Sequence, residues 1–261
     1  MLIGRKRQRM HMINFYLLRG LSRESAHWGT FPTDLANKIP NSRVIQMDLP
    51  GVGELNQMNS PTEIQSMIDI LKFNYFKHEG TNIFIASSLA TMVALTWVQR
   101  TKDDFQGLVL LSPGLKGICK FTERIKPRSW YDCGVIMLHP SSKIREKKLL
   151  KINLNNSISR KEVFESWVEI QNKRPYKVKN AFRQLLAGTR FKLLDQIIDI
   201  PILILGSKKD KLVASACFIK LKIKLGADIA LHDHAGHALT LDASAWLIEK
   251  IYNWQQAKGL A

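Results

Sequence analysis

Residues 82–98, NIFIASSLATMVALTWV, decide how the rest of the chain is read. Ile83 to Ile85 form a short apolar run, Ala86-Ser87-Ser88-Leu89-Ala90 follow as small or modest residues, and Met92, Val93, Ala94, Leu95 and Trp97 continue the apolar character. That order predicts a buried strand turning sharply into a helix. Such a turn lifts its central side chain clear of the sheet and aims the backbone N–H groups opening the helix at whatever binds there. It closes only when the residues two before and two after the centre are small. Centred on Ser88 these are Ala86 and Ala90, whereas centred on Ser87 they are Ile85 and Leu89, so Ser88 is the expected exposed serine. Residues 81–99 carry no formal charge, but their Asn, Ser and Thr content and the lack of a second such segment argue against a membrane span.

Outward from this stretch the pattern alternates. Ile13 to Leu18 and Arg43 to Met47 are strand-like runs, and Ser60-Pro61-Thr62-Glu63 reads as a helix start with Ser60 as cap. Ile64, Met67, Ile68, Ile70 and Leu71 supply the apolar face of that helix. Leu108 to Leu111, Ile200 to Leu205 and Ile229 to Leu231 are further expected strands, and an amphipathic helix around Trp246 to Trp254 ends the series. Strands alternating with helices predict an α/β fold with a mainly parallel twisted sheet and helices on both faces. Between about 115 and 190 the rhythm breaks into helical patterns such as KEVFESWVEIQ and KVKNAFRQLLAGTRF, with Trp130, Tyr131, Phe164, Trp167 and Phe182 expected mainly as its internal packing.

With 261 residues, 45% of them apolar, one main domain carrying an insertion is expected. Cys119, Cys133 and Cys217 are odd in number and show no CxxC spacing, which suggests neither a zinc knuckle nor a disulfide framework and fits a reducing cytoplasm. The opening MLIGRKRQRMHM reads as a basic tail over 1–12, or as sequence preceding a start at Met10 or Met12. The short INFYLL run after it ends at Arg19 with no small-residue cleavage site, so it makes a poor signal peptide. The net charge is +17, and residues 115–190 hold 18 Lys and Arg against 6 Asp and Glu. With no helix-turn-helix, zinc-finger or RNP signature beside it, this regional charge reads as a solvated basic surface or a preference for anionic substrates or an anionic membrane surface, and nucleic acid is not expected.

Several stretches together resemble the α/β-hydrolase superfamily, nearest its bacterial serine esterase-like and lipase-like members. Ala86-Ser87-Ser88-Leu89-Ala90 resembles the G-x-S-x-G nucleophile elbow with both glycines replaced by alanine, and DLPGVGE at 48–54 resembles the D-x-P-G-x-G loop. Arg19-Gly20-Leu21 sits where the family places its oxyanion loop, GSKKDKLV resembles the loop that carries the acid, and AGHALTLD the loop that carries the histidine. The resemblance implies an α/β-hydrolase core over 13–114 and 191–261 and a helical lid over 115–190. It implies Ser88 as nucleophile, Asp210 and His237 as its partners, and the backbone N–H groups of Leu21 and Leu89 as oxyanion hole. The implied activity is cleavage of a carboxylic ester or thioester, without cofactor or metal.

Other readings stay open at this point. His232-Asp233-His234 with His237 form H-D-H-x-x-H, which resembles the metallo-β-lactamase signature, although Gly236 stands where that signature needs an aspartate. The alanines at the elbow also admit a fold that has lost activity and serves as a binding module. His27, His78 and His139 are expected at the surface or in packing, yet HWGTF follows the oxyanion loop closely, which makes His27 and Trp28, with Ser22, candidate pocket residues.

Overall fold

The computed structural model describes residues 12–76, 78–101, 103–175 and 177–260; apart from Met12, the expected basic tail lies outside these. The chain runs β1 (Ile13–Leu18), α1 (Phe31–Lys38), β2 (Ser42–Met47), α2 (Ile64–Tyr75), β3 (Thr81–Ser87), α3 (Ala90–Arg100) and β4 (Gly107–Leu111). Then come α4 (Phe121–Arg124), α5 (Trp130–Leu138), α6 (Ser142–Asn153), α7 (Ser157–Lys173) and α8 (Val178–Arg190). The sheet resumes with β5 (Ile202–Ser207), α9 (Ser215–Leu225), β6 (Asp228–His232), α10 (Leu239–Asp242) and α11 (Ser244–Ala257). All strand pairs are parallel, in the order β2-β1-β3-β4-β5-β6. This is the α/β fold expected from the alternation of strand and helix patterns.

Period-two alternation sends side chains to two separate cores. Tyr16 and Leu18 of β1, Phe84 and Ala86 of β3, Leu108 and Leu110 of β4, and Ile202 and Ile204 of β5 pack with α2, α3 and α9. Phe15 and Leu17, Ile83 and Ile85, Val109 and Leu111, and Leu203 and Leu205 face the other way, onto α1 and α11. Because both faces are covered, these strands read as continuous apolar runs.

The strand order reverses between β1 and β3, which are neighbours although β2 lies between them in sequence. At such a point the loops leaving the carboxyl ends of adjacent strands diverge and open a crevice. Leu18, near the end of β1, pairs with Ala86 near the end of β3, so Gly20 and Ser88 flank that crevice.

Two local expectations change. Ser60 does not cap α2, which begins at Ile64 after Glu63. Its hydroxyl is donated to the Pro50 carbonyl and its N–H to Asn180 Oδ1 at 3.0 Å, so a tertiary contact with α8 uses the groups a cap would need. Of the aromatics expected inside the helical segment, Trp167 is buried and Phe164 packs partly against the same cluster, but Trp130, Tyr131 and Phe182 are exposed. Among the described residues no helix is long and apolar enough to cross a membrane.

Candidate active site

Ser88 stands at the end of β3 with φ 55°, a left-handed conformation that a serine adopts at a cost of about 1–2 kcal/mol. Such strain persists only where surroundings impose it. Here Ala86 and Ala90 are fully buried on either side of the turn, the Ser88 N–H is donated to the Leu111 carbonyl at 2.9 Å, and the Ser88 carbonyl accepts from Thr91 N–H at 3.0 Å. Gly20 closes the turn from the β1 side. A Cβ there would sit 2.9 Å from Ser88 Cβ and 3.0 Å from the Ser87 carbonyl oxygen, so the approach of the two loops requires glycine.

Asp210 follows β5 and is fully buried. Its Oδ1 accepts the N–H groups of Leu212 at 2.7 Å and Val213 at 2.9 Å, and its Oδ2 lies 2.8 Å from His237 Nδ1. With the carboxylate as acceptor, Nδ1 carries the proton and Nε2 is left with its lone pair. His237 is held from both sides. Gly236 N–H goes to Asp242 Oδ2 at 2.6 Å, Ala238 N–H goes to the Asn153 carbonyl at 3.0 Å, and Ser112 Oγ donates to the His237 carbonyl at 3.0 Å. A Cβ at Gly236 would lie 2.3 Å from that Asn153 oxygen, so the end of α6 seats directly on the histidine loop.

The loop after β1 distributes its residues differently from the sequence reading. Leu21 and Ser22 line the same cavity as Ser88 and His237. Ser22 takes φ 54° and gives its N–H to Gln184 Oε1 at 2.9 Å, while the turn and loop hydrogen bonds of the described residues include none donated by Leu21 or Leu89 N–H. His27 and Trp28 are not among the residues that line the cavity, and both are fully buried. Trp28 stacks on Phe31 with ring centroids 5.6 Å apart and packs in the core against α1. His27 Nε2 accepts from Arg23 Nη1 at 2.9 Å, and burial, then the Arg23 and Arg19 charges, hold its pKa well below the ordinary imidazole value, so the ring is neutral.

Arg23 is the pivot of this loop. It forms a two-pronged pair with Glu146 of α6, at 2.8 and 2.9 Å, and Glu146 is fully buried. Removing one partner of such a pair strands a buried charge at a cost of about 3–5 kcal/mol. Glu146→Ala is therefore expected to lower unfolding free energy by that amount, and the double variant Arg23→Met/Glu146→Leu to recover much of it. Urea unfolding of the three proteins checks both; equal midpoints in wild type and Glu146→Ala would refute the assignment. No sequence signal marked Glu146, one acid within the lysine-rich run SKIREKKLLKIN.

The cavity has a volume of about 300 Å³. Its floor is Gly20, Leu21, Ser87, Ser88, Leu89 and His237; its walls come from the helical segment, with Phe121, Ile125, Ile136, Met137, Ile152, Trp167 and Leu185 making most of them apolar. Arg19 also lines it and is nearly buried; desolvation, then the neighbouring Arg23 charge, push its pKa down to about 9, which still leaves it charged at neutral pH. The other histidines of the H-D-H-x-x-H string are engaged elsewhere. His232 Nδ1 accepts the N–H groups of His234 at 3.1 Å and Ala235 at 2.9 Å, and its ring packs on Trp246. Among the described residues no three His, Cys, Asp or Glu side chains converge where a metal could sit.

The sequence matches, over residues 17–244, the family model described as Serine aminopeptidase, S33. No curated protein matches it. Among solved structures it is similar to a candidate lipase from Acinetobacter baumannii AYE, at 21% identity and TM-score 0.75, covering 95% of this chain and 85% of that one. It is also similar to a thermophilic esterase from Thermogutta terrifontis, at 16% identity and TM-score 0.71 over 95% of this chain and 90% of that one. An esterase from Exiguobacterium antarcticum gives 13% identity and TM-score 0.73 over 95% and 93%. At these identities the structural likeness speaks to the fold.

Proposed function

We propose, for a chain that belongs to the serine aminopeptidase S33 family of α/β-hydrolases, that it is a serine hydrolase cleaving a carboxylic ester or thioester through Ser88, His237 and Asp210. The observation that carries this reading is the buried Asp210–His237 pair at 2.8 Å, opening onto the same apolar cavity as a serine held at φ 55°. In the first step His237 Nε2 takes the Ser88 proton as Oγ attacks the carbonyl carbon, and Asp210 stabilises the imidazolium that forms. The N–H groups of Leu21 and Leu89 receive the developing oxyanion; as backbone donors they need no reorganisation when charge builds there. The imidazolium then protonates the leaving alcohol or thiol. Water activated by His237 attacks the acyl-serine in the second step and releases the acid.

The family also includes peptidases, and the cavity chemistry favours an ester over a peptide amino terminus. An α-ammonium group needs a carboxylate to meet it, and the described cavity lining contains neither Asp nor Glu. The segment 115–190 is read as a cap that shapes the acyl pocket, since it supplies most of the apolar wall. Lysine and arginine on its outer surface would also suit anionic substrates or a peripheral contact with an anionic membrane.

Labelling with a fluorophosphonate probe tests the reading. Wild-type protein is expected to label at Ser88, and His237→Ala to lose that labelling while staying folded, because the hydroxyl is a weak nucleophile without its base. A folded wild type that does not label would turn the assignment toward a binding protein built on the same fold.

A further inference from the structure

Three arginines line the cavity, Arg19, Arg23 and Arg124, and no carboxylate of a described residue lines it with them. Arg23 is neutralised by Glu146. Arg19 and Arg124 are in ion-pair reach of no carboxylate among the described residues. Arg19 is 6% exposed; its Nη1 makes a 3.3 Å hydrogen bond to Thr240 Oγ1, its guanidinium lies over the Trp28 ring, and its Nε has no acceptor. Arg124 is half-buried in α4 with its guanidinium over Phe121, and its Nε likewise has no acceptor. A guanidinium withdrawn from water without counter-charge is unfavourable, and so is a buried N–H without an acceptor. An anion entering the cavity that both residues line would supply the counter-charge that no described carboxylate provides.

We propose that the substrate carries a carboxylate, bound in the cavity by Arg19 and Arg124, so that the enzyme selects esters of acids bearing a second, free carboxylate. The proposal rests on the ester-hydrolase reading above. It names a substrate class which that reading leaves open. The planar guanidinium fork matches the two oxygens of a carboxylate, and the apolar side chains that make up most of the cavity wall suit the short carbon chain that would join that carboxylate to the ester.

The test compares kcat/KM for p-nitrophenyl hemisuccinate with that for p-nitrophenyl butyrate, which has a chain of similar length and no charge. Wild type is expected to prefer the hemisuccinate by about tenfold or more, and Arg124→Gln to reduce that ratio about tenfold, mainly through the KM of the anionic ester. Arg19→Gln is expected to act in the same direction; because Arg19 is buried, Arg124→Gln carries the test where the Arg19 variant does not fold. A cavity pair is screened weakly, so the preference should persist at about 0.5 M NaCl. The proposal is overturned if wild type shows no preference, if the preference is untouched by Arg124→Gln, or if it vanishes with salt, which would assign it to steering by the basic surface. A protein that labels at Ser88 yet shows no preference fails this proposal alone, whereas one that does not label fails the ester-hydrolase reading beneath it.

Discussion

Replacing Ser88 with alanine is expected to lower kcat/KM for an ester such as p-nitrophenyl butyrate by about 10⁴-fold or more, the loss typical when a covalent nucleophile is removed from an otherwise intact site. The remaining rate would come from binding and from the oxyanion donors alone. Stability should change by less than about 1 kcal/mol, because alanine meets the same left-handed strain at this position that serine does. Ser88→Gly separates the two effects, since glycine relieves the strain and should raise the unfolding midpoint while leaving activity equally low. Steady-state hydrolysis and thermal unfolding of the three proteins give the comparison. If Ser88→Ala retained activity within tenfold of wild type, the nucleophile would lie elsewhere.

Asp210→Asn should be the next most damaging change, lowering kcat by about 10³–10⁴-fold with little effect on KM. The reason is a tautomer. Asp210 Oδ1 already accepts two backbone N–H groups, from Leu212 and Val213, so an asparagine would keep its carbonyl oxygen there and turn its amide N–H₂ toward His237. Imidazole Nδ1 would then have to accept, which moves the ring proton to Nε2, where it blocks removal of the Ser88 proton. Folding should be nearly unaffected, as the shape and the two loop hydrogen bonds are kept. A variant that lost stability in proportion to activity would instead mark Asp210 as a loop anchor with no part in positioning the base.

Both predictions concern residues that are legible in the sequence, whereas several of their neighbours are not. Ser88 and its flanking alanines obey a rule of local sterics, which needs only five consecutive residues. Asp210 and His237 are implied only by the resemblance of GSKKDKLV and AGHALTLD to α/β-hydrolase loops, and the fold brings them to 2.8 Å. His27 and Trp28 show the limit of that method. They are only a few residues past the oxyanion loop, yet the 3₁₀ turn Ser25–Trp28 carries them down into the core instead of along the cavity wall.

What the sequence by itself determined is the alternation of apolar strands and amphipathic helices, and with it a parallel sheet covered on both faces. It also determined the sharp turn at Ser88. These follow from periodicity and steric size, which act between residues near one another in the chain. What only the tertiary structure decided is where each charge ends up. Arg23 meets Glu146, 123 residues away, and Ser60 spends its hydrogen bonds on Pro50 and Asn180 instead of on its own helix. Arg19 is drawn into a cavity wall without a carboxylate to meet it. Electrostatic pairing and burial depend on distances through space between segments remote in sequence, and no local pattern in lysine, arginine and glutamate distinguishes a solvated charge from one the fold has enclosed.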